Sequence, residues 1–223
     1  MYMNNPLNLK FVNIRYLVSQ LKLDMSWERA QVIAELENEE WVPHGMVAPV
    51  GHNPWPNTRY KCLRPKWENQ TLITLSEFFR GEKFRRQAID WMYQEYHGID
   101  VTWGMSADEM FRRSRTHIEF TRDMPGFVND IHCDYRQLIA TGMIYFSDTD
   151  SPDISTYFYT TKDRAEPLRM PTKFGDGWWH MNYHNTWHEG WNRTDQVRYS
   201  GLLGLTINVT DLPEFQTELE TVH

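Results

Sequence analysis

His132 and Asp134 stand two positions apart in FVNDIHCD, and His188 follows far downstream in TWHEGW. In an extended chain, residues i and i+2 point to the same face. The triplet His132-Cys133-Asp134 can therefore present an imidazole and a carboxylate side by side toward one divalent metal, with Cys133 turned away into the core. His188, on a later strand, can supply a third ligand. Three protein donors on one face leave the other positions of an octahedral ion open. Arg198 comes ten residues after His188, and Ser200 two after that, again on one strand face. A guanidinium fork beside a hydroxyl makes a clamp for a carboxylate.

Each piece is short, and an H-x-D triplet arises often by chance. A rival arrangement exists in His180, His184 and His188, which would line one face of a helix and could bind zinc. The local residues oppose it, because Trp178, Trp179, Tyr183 and Trp187 are poor helix-interior choices together, and Asn182, Asn185 and Thr186 favour turns or strands. On strands, His180 and His184 read as imidazoles beside the site or as substrate contacts. Asn182 and Trp187 flank the distal ligand, with strand packing the default role for Trp187. Arg136, two positions after Asp134, faces either the pocket or solvent. No C-x-x-C occurs, so a thiolate zinc site is excluded, and the two cysteines, Cys62 and Cys133, read as free thiols.

These residues need strands to position them. From Thr116 to about Asn208 the chain reads as short β segments: THIEFTR, FVNDIHCD, QLIATGMIYFSD, STYFYTT, GWWHMNY, TWHEGW and VRYSGLLGLTINV, separated by Gly, Pro, Asp and Asn clusters. Many short, closely spaced strands predict a sandwich or barrel. Upstream, residues 8–40 read as helical, with Ser26 as an N-cap of the second stretch. Residues 42–72 read as loop, with five prolines. Helices are expected from Leu75 to about Tyr96, stopped by Gly98, and from Ala107 to Arg113, capped by Ser106. Arg112, Arg113 and Arg115 then fall at a helix C-terminus, where cations are favoured. The expected class is α+β, with residues 1–115 packing on a 116–209 core, a 210–223 tail, and one domain overall.

The 223 residues carry 40% hydrophobic and 24% charged side chains, enough to bury a core. The net charge of −7 argues against a nucleic-acid backbone as partner, and no apolar run reaches the length of a bilayer span. The start, MYMNNPLNLKF, lacks an export signal, so a cytoplasmic setting is expected. Nothing in the sequence fixes the oligomeric state. Ten Trp, eleven Tyr and eleven Phe bring aromatics to 14%, with Trp178, Trp179, Trp187 and Trp191 bracketing His188.

In combination, His132-Cys133-Asp134, His188 and Arg198-Tyr199-Ser200 resemble the Fe(II)- and 2-oxoglutarate-dependent dioxygenases, of the prolyl-hydroxylase-like, bacterial and phage type. Asp-Met-Pro-Gly-Phe before the first ligand strand and the strand Gln137–Asp148 after it agree. The resemblance covers residues 116–209 and implies a double-stranded β-helix, or jelly roll, with helices on one sheet. It implies that His132, Asp134 and His188 bind iron, and that Arg198, assisted by Ser200, pairs with the distal carboxylate of 2-oxoglutarate. Arg122 and Tyr145 are further residues to weigh at that end. The implied set is Fe(II), 2-oxoglutarate as co-substrate, O2 and ascorbate, with succinate and CO2 as co-products. Asp134 stands where related halogenating enzymes have a small residue, so hydroxylation or another oxidation is the expected outcome.

The expected substrate is a small molecule such as an amino acid or sugar-linked group, with a prolyl-type protein side chain second. A cupin-like metal- or sugar-binding protein is the reading from another class; such a site would be richer in His, carry a Glu and lack the Arg198 clamp. Residues 42–72, with Trp41, Trp55, Tyr60 and Trp67, are a possible lid. At least two of the four clustered Trp rings are expected to wall the metal pocket.

Overall fold

The computed structural model describes residues 7–15, 17–25, 27–44, 58–95, 104–134, 138–148, 150–182 and 186–207. Among these residues, twelve strands and four α-helices follow one another as β1 (Asn8–Arg15), β2 (Val18–Asp24), α1 (Arg29–Glu37), β3 (Trp41–Pro43), β4 (Arg59–Cys62), α2 (Gln70–Arg80), α3 (Glu82–Glu95), α4 (Ala107–Arg113), β5 (Ser114–Asp123), β6 (Phe127–His132), β7 (Leu138–Tyr145), β8 (Thr156–Tyr159), β9 (Leu168–Arg169), β10 (Asp176–Met181), β11 (Trp187–Asn192) and β12 (Arg198–Ile207). The strands form an eight-stranded sheet, β1-β2-β10-β7-β12-β5-β4-β3, facing a four-stranded sheet, β6-β11-β8-β9. The pairings between them are antiparallel throughout.

Each strand of the expected core is present. The central four strands of the large sheet and the four of the small one make the two layers of the jelly roll, an α+β arrangement. Side chains alternate across the large sheet, so it has two buried faces. Its outer face carries Ile118, Phe120, Trp179, Leu203 and Leu205, packed against α1, α2 and α3 through Val32, Leu36, Leu75, Phe79, Phe84 and Met92. Its inner face supplies Met143, Tyr145 and Trp178 to a smaller cluster with Phe158 and Met170 between the sheets.

The N-terminal reading needs correction. Residues 8–24 are not helical; they form a hairpin that turns between Arg15 and Val18, with Leu17 at φ 65°. β2 alternates buried Leu21 and Leu23 with exposed Lys22 and Asp24, and it extends the large sheet beside β10. Helix α1 starts after Glu28, with no side-chain cap, and Ser26 lies outside the described residues. The single helix expected over 75–96 is two, because Gly81 adopts an extended conformation (φ −75°, ψ 160°) between α2 and α3. Gly98 and the tail from 208 lie outside the described residues. The 42–72 segment is not all loop: β3 and β4 extend the sheet beside β5, and α2 begins at Gln70. Helix α4 has the expected bounds, and Ser106 accepts a hydrogen bond from the Glu109 backbone N–H. Cys62 and Cys133 are free thiols; Cys62 is buried, whereas Cys133 is half-buried rather than a core residue.

Candidate metal centre

In β6 and β11, His132 and His188 are direct cross-strand partners, which brings their ring centroids to 4.3 Å. Asp134 lies just past the end of β6, and its carboxylate reaches back to both. Oδ1 is 3.4 Å from His132 Nε2, and Oδ2 is 3.7 Å from His188 Nε2. One ligand atom from each of the three residues lies within 4.8 Å of the others, close enough to hold a metal ion. The nearby Glu189 is engaged elsewhere, its carboxylate bonded by the Tyr159 hydroxyl and the Arg164 guanidinium.

The imidazoles are preset for ligation. His132 Nδ1 contacts the Asp130 carbonyl at 2.7 Å, and His188 Nδ1 contacts the Thr186 carbonyl at 3.0 Å. A carbonyl only accepts, so both Nδ1 atoms carry a proton, and in the neutral rings Nε2 is the lone pair that can ligate. Burial holds His188 down at a pKa of about 3, keeping it neutral. Burial acts the same way on His132 and is the largest single influence, but the hydrogen bond and charge of Asp134 and the Asp130 carbonyl together outweigh it and raise the pKa. Burial would raise Asp134, yet His188, His132 and His180 together hold its carboxyl well below the usual range. Imidazole nitrogens with a carboxylate suit a borderline divalent ion such as Fe(II).

His180 stands at the same carboxylate. It is fully buried on β10 of the opposite sheet, with Nε2 3.1 Å from Asp134 Oδ2. It therefore lies inside, not at the surface. A helix through His180, His184 and His188 does not form, since His180 and His188 lie on separate strands of different sheets and His184 is outside the described residues.

The three donors line a cavity of about 470 Å³ that also includes His44, Arg59, Phe127, Thr141, Met143, Trp178, Arg198 and Leu202. Arg198 is buried. Its Nε and Nη2 bond Asp123 Oδ2, and its Nη1 bonds the Ile154 and Trp191 carbonyls at 3.0 and 3.2 Å. Asp123 is shared with Arg59, whose Nε and Nη2 contact its two oxygens at 2.5 and 2.9 Å. Burial would raise Asp123, but the two guanidinium groups hold its carboxyl below its ordinary range. Arg198 and Arg59 both lie over the Phe127 ring. Tyr145, fully buried near Arg198, has its hydroxyl in contact with Thr156 Oγ1 at 2.7 Å and accepts from Trp178 Nε1 at 2.9 Å.

The remaining residues separate. Ser200 is fully buried and shares a 2.8 Å hydrogen bond with Thr121. Arg122 lies on the other face of β5, over Trp41 and Tyr60. Asn182 donates to the Thr141 hydroxyl at 3.0 Å, and Arg136 lies outside the described residues. Trp187 neighbours His188 in the strand and so takes the opposite face, with Lys162 5.8 Å from its ring.

The expectation that two Trp rings wall the metal pocket does not hold. Trp178 does, 5.9 Å from the His188 ring. Trp179 points to the helices, against Phe11 and Phe84. Trp191 stacks on Tyr157 at 4.9 Å and under Arg193. Period-2 alternation disperses rings that are close in the chain. Arg59 and His44 line this cavity and Asp123 lies buried behind Arg59 and Arg198, and none of the three stands out in the sequence. Asp123 could have been found by its parity with Thr121 on the THIEFTRD strand; the proline-rich surroundings of Arg59 and His44 carried no periodic signal.

No known family profile and no curated protein matches the sequence. Solved structures do match. A Pseudomonas putida prolyl-4-hydroxylase superposes with a TM-score of 0.51 at 12% identity, over 86% of this chain and 93% of that one. The fold is that of the 2-oxoglutarate-dependent non-haem iron oxygenases. The α-ketoglutarate-dependent epimerase SnoN of nogalamycin biosynthesis gives 0.53 at 15% identity, over 89% and 83%. HygX from Streptomyces hygroscopicus, solved with nickel and 2-oxoglutarate bound, gives 0.51 at 13%, over 86% and 83%. No helix among the described residues is long and apolar enough to cross a membrane.

Proposed function

We propose that the protein is a non-haem Fe(II)- and 2-oxoglutarate-dependent oxygenase that oxidises a C–H bond of a small molecule. The observation that carries this reading is the convergence of His132, Asp134 and His188 on one point of a cavity that also holds Arg198. Bound Fe(II) and 2-oxoglutarate would supply O2 activation coupled to oxidative decarboxylation, with succinate and CO2 released. His132 and His188 would donate through Nε2, and Asp134 through its carboxylate. The protein's work is to hold these donors, exclude water and orient substrate.

At the other end of the cavity, Arg198 offers its remaining Nη2 N–H and its charge to the distal carboxylate of 2-oxoglutarate. Tyr145 stands beside it, and Ser200 supports the strand through Thr121. Asp123 and the two carbonyls fix the guanidinium in advance, so little side-chain entropy is lost on binding. Trp178, Met143, Leu202 and Phe127 make the apolar wall. A cavity of about 470 Å³ is in the range of small-molecule sites.

One observation favours the second reading, a cupin-like metal-binding protein: a third imidazole, His180, at the same carboxylate. Turnover separates the two. The protein with Fe(II) and 2-oxoglutarate should release succinate slowly alone and faster with an accepted metabolite. Absence of both 2-oxoglutarate binding and turnover would overturn the oxygenase reading.

A further inference from the structure

Asp123 on β5 lies directly opposite two arginines, Arg59 on β4 and Arg198 on β12. Residues in register across neighbouring strands point to one face, so the three side chains stand in a row on the inner face of the large sheet. All three are buried, and both guanidinium groups lie over the Phe127 ring of the small sheet, Arg59 at 4.1 Å and Arg198 at 5.5 Å. Both arginines line the cavity that holds His132, Asp134 and His188. Arg198 directs two of its donor contacts to Asp123 and one each to the Ile154 and Trp191 carbonyls. A guanidinium has five N–H groups, so Arg198 meets the two oxygens of an entering carboxylate with a single N–H.

Charge leads to the same pair. In the loaded centre, the two positive charges of Fe(II) meet one negative charge on Asp134 and two on 2-oxoglutarate. Asp123 adds one more negative charge at the far end. Glu189, which also lines the cavity, is paired with Arg164. With Arg198 alone, the loaded cavity would hold one negative charge too many; with Arg59 as well, it is neutral. An uncompensated buried charge is costly, and the metal's own charge belongs in the count. We propose that Arg59 is a second binding residue for the distal carboxylate of the co-substrate and supplies the charge that balances it. This rests on the oxygenase reading above and extends the carboxylate clamp to β4, outside residues 116–209. A loaded cavity that is already neutral favours an uncharged group as the part of the substrate that enters it.

The test uses the full-length protein loaded with Mn(II) and two ligands: 2-oxoglutarate, and 2-oxopentanoate, which has the same chain length but no distal carboxylate. Isothermal titration calorimetry should show that the wild type binds 2-oxoglutarate the more tightly. In Arg59→Met, 2-oxoglutarate binding should weaken by about 10–100-fold, the range for losing a hydrogen bond to a charged group, while 2-oxopentanoate binding is unaffected. Arg59→Lys keeps the charge without the fork and should retain part of the preference. Circular dichroism shows that each variant is folded. In a crystal of the Mn(II) and 2-oxoglutarate complex, a distal carboxylate oxygen should lie within about 3.2 Å of a nitrogen of each arginine. A preference unchanged in a folded variant, an equal loss for both ligands, or a carboxylate seated on Arg198 alone would overturn the proposal and leave the oxygenase reading standing. A wild type that binds neither ligand, or binds both equally, would instead remove the reading on which it rests.

Discussion

Asp123 is the residue on which the Arg198 end of the cavity depends. It is fully buried and bonded on both sides by Arg59 and Arg198. Its folded pKa lies below the ordinary value, because the two cations outweigh burial. A depressed carboxylate stabilises the fold at pH values above its unfolded pKa of about 3.9, and this contribution is lost as pH falls through the folded value. Asp123→Asn leaves two buried guanidinium groups sharing a neutral partner. It should destabilise the protein by about 3–5 kcal/mol at neutral pH and flatten its loss of stability below about pH 4. Urea unfolding across that range measures both, and a wild-type stability and acid profile in the Asp123→Asn variant would show that the pair contributes nothing. At this scale the sequence was informative about which residues converge on the cavity and poor about their supports. His132, Asp134, His188 and Arg198 are legible because strand parity and spacing are local. Asp123 and Arg59 meet 64 positions apart in the chain, a pairing no local pattern announces.

Strand alternation also decides what the elements do. In β10, Trp178 and His180 face the space between the sheets while Trp179 and Met181 face the helices, so one strand serves two cores. This explains why β5 to β8 and β10 to β12 could be read from the sequence while the two-residue β9 could not, and why the clustered tryptophans misled: nearness in the chain says nothing about which face a ring takes. The β1–β2 hairpin was hidden for a different reason. Its turn carries Leu17 at positive φ instead of glycine or asparagine, and its apolar residues are dense enough to mimic a helical stripe. Between β7 and β10, Gly142 is required by close approach: a Cβ there would lie 2.5 Å from Trp179 Cε3 and 2.7 Å from the Trp178 carbonyl oxygen. Gly142→Ala must push β10 away or turn the Trp179 ring out of its place against Phe84. It should cost about 1–3 kcal/mol, read by denaturant midpoint. Because the shifted strand carries His180, metal affinity should weaken as well. An unchanged midpoint would mean that the sheet relaxes around the methyl group without strain.

For the whole molecule, the candidate centre is a junction between layers. His132 and His188 come from the small sheet and His180 from the large one, with Asp134 between them. An ion held by His132, Asp134 and His188 would have no comparable site in the unfolded chain. Metal binding should therefore appear as global stability. With free Mn(II) or anaerobic Fe(II) at about 100 times its dissociation constant, the native state gains about 2.7 kcal/mol. In a chain of 223 residues, that corresponds to a rise in Tm of about 5–10 °C, at roughly 2–4 °C per kcal/mol. Asp134→Ala should abolish the rise, since it removes the one group that all three imidazoles face, while the apo variant still melts cooperatively. A chelator should return the wild type to its apo Tm and leave the variant unmoved. Equal metal-dependent shifts in the two proteins would place the stabilising ion somewhere other than at His132, Asp134 and His188.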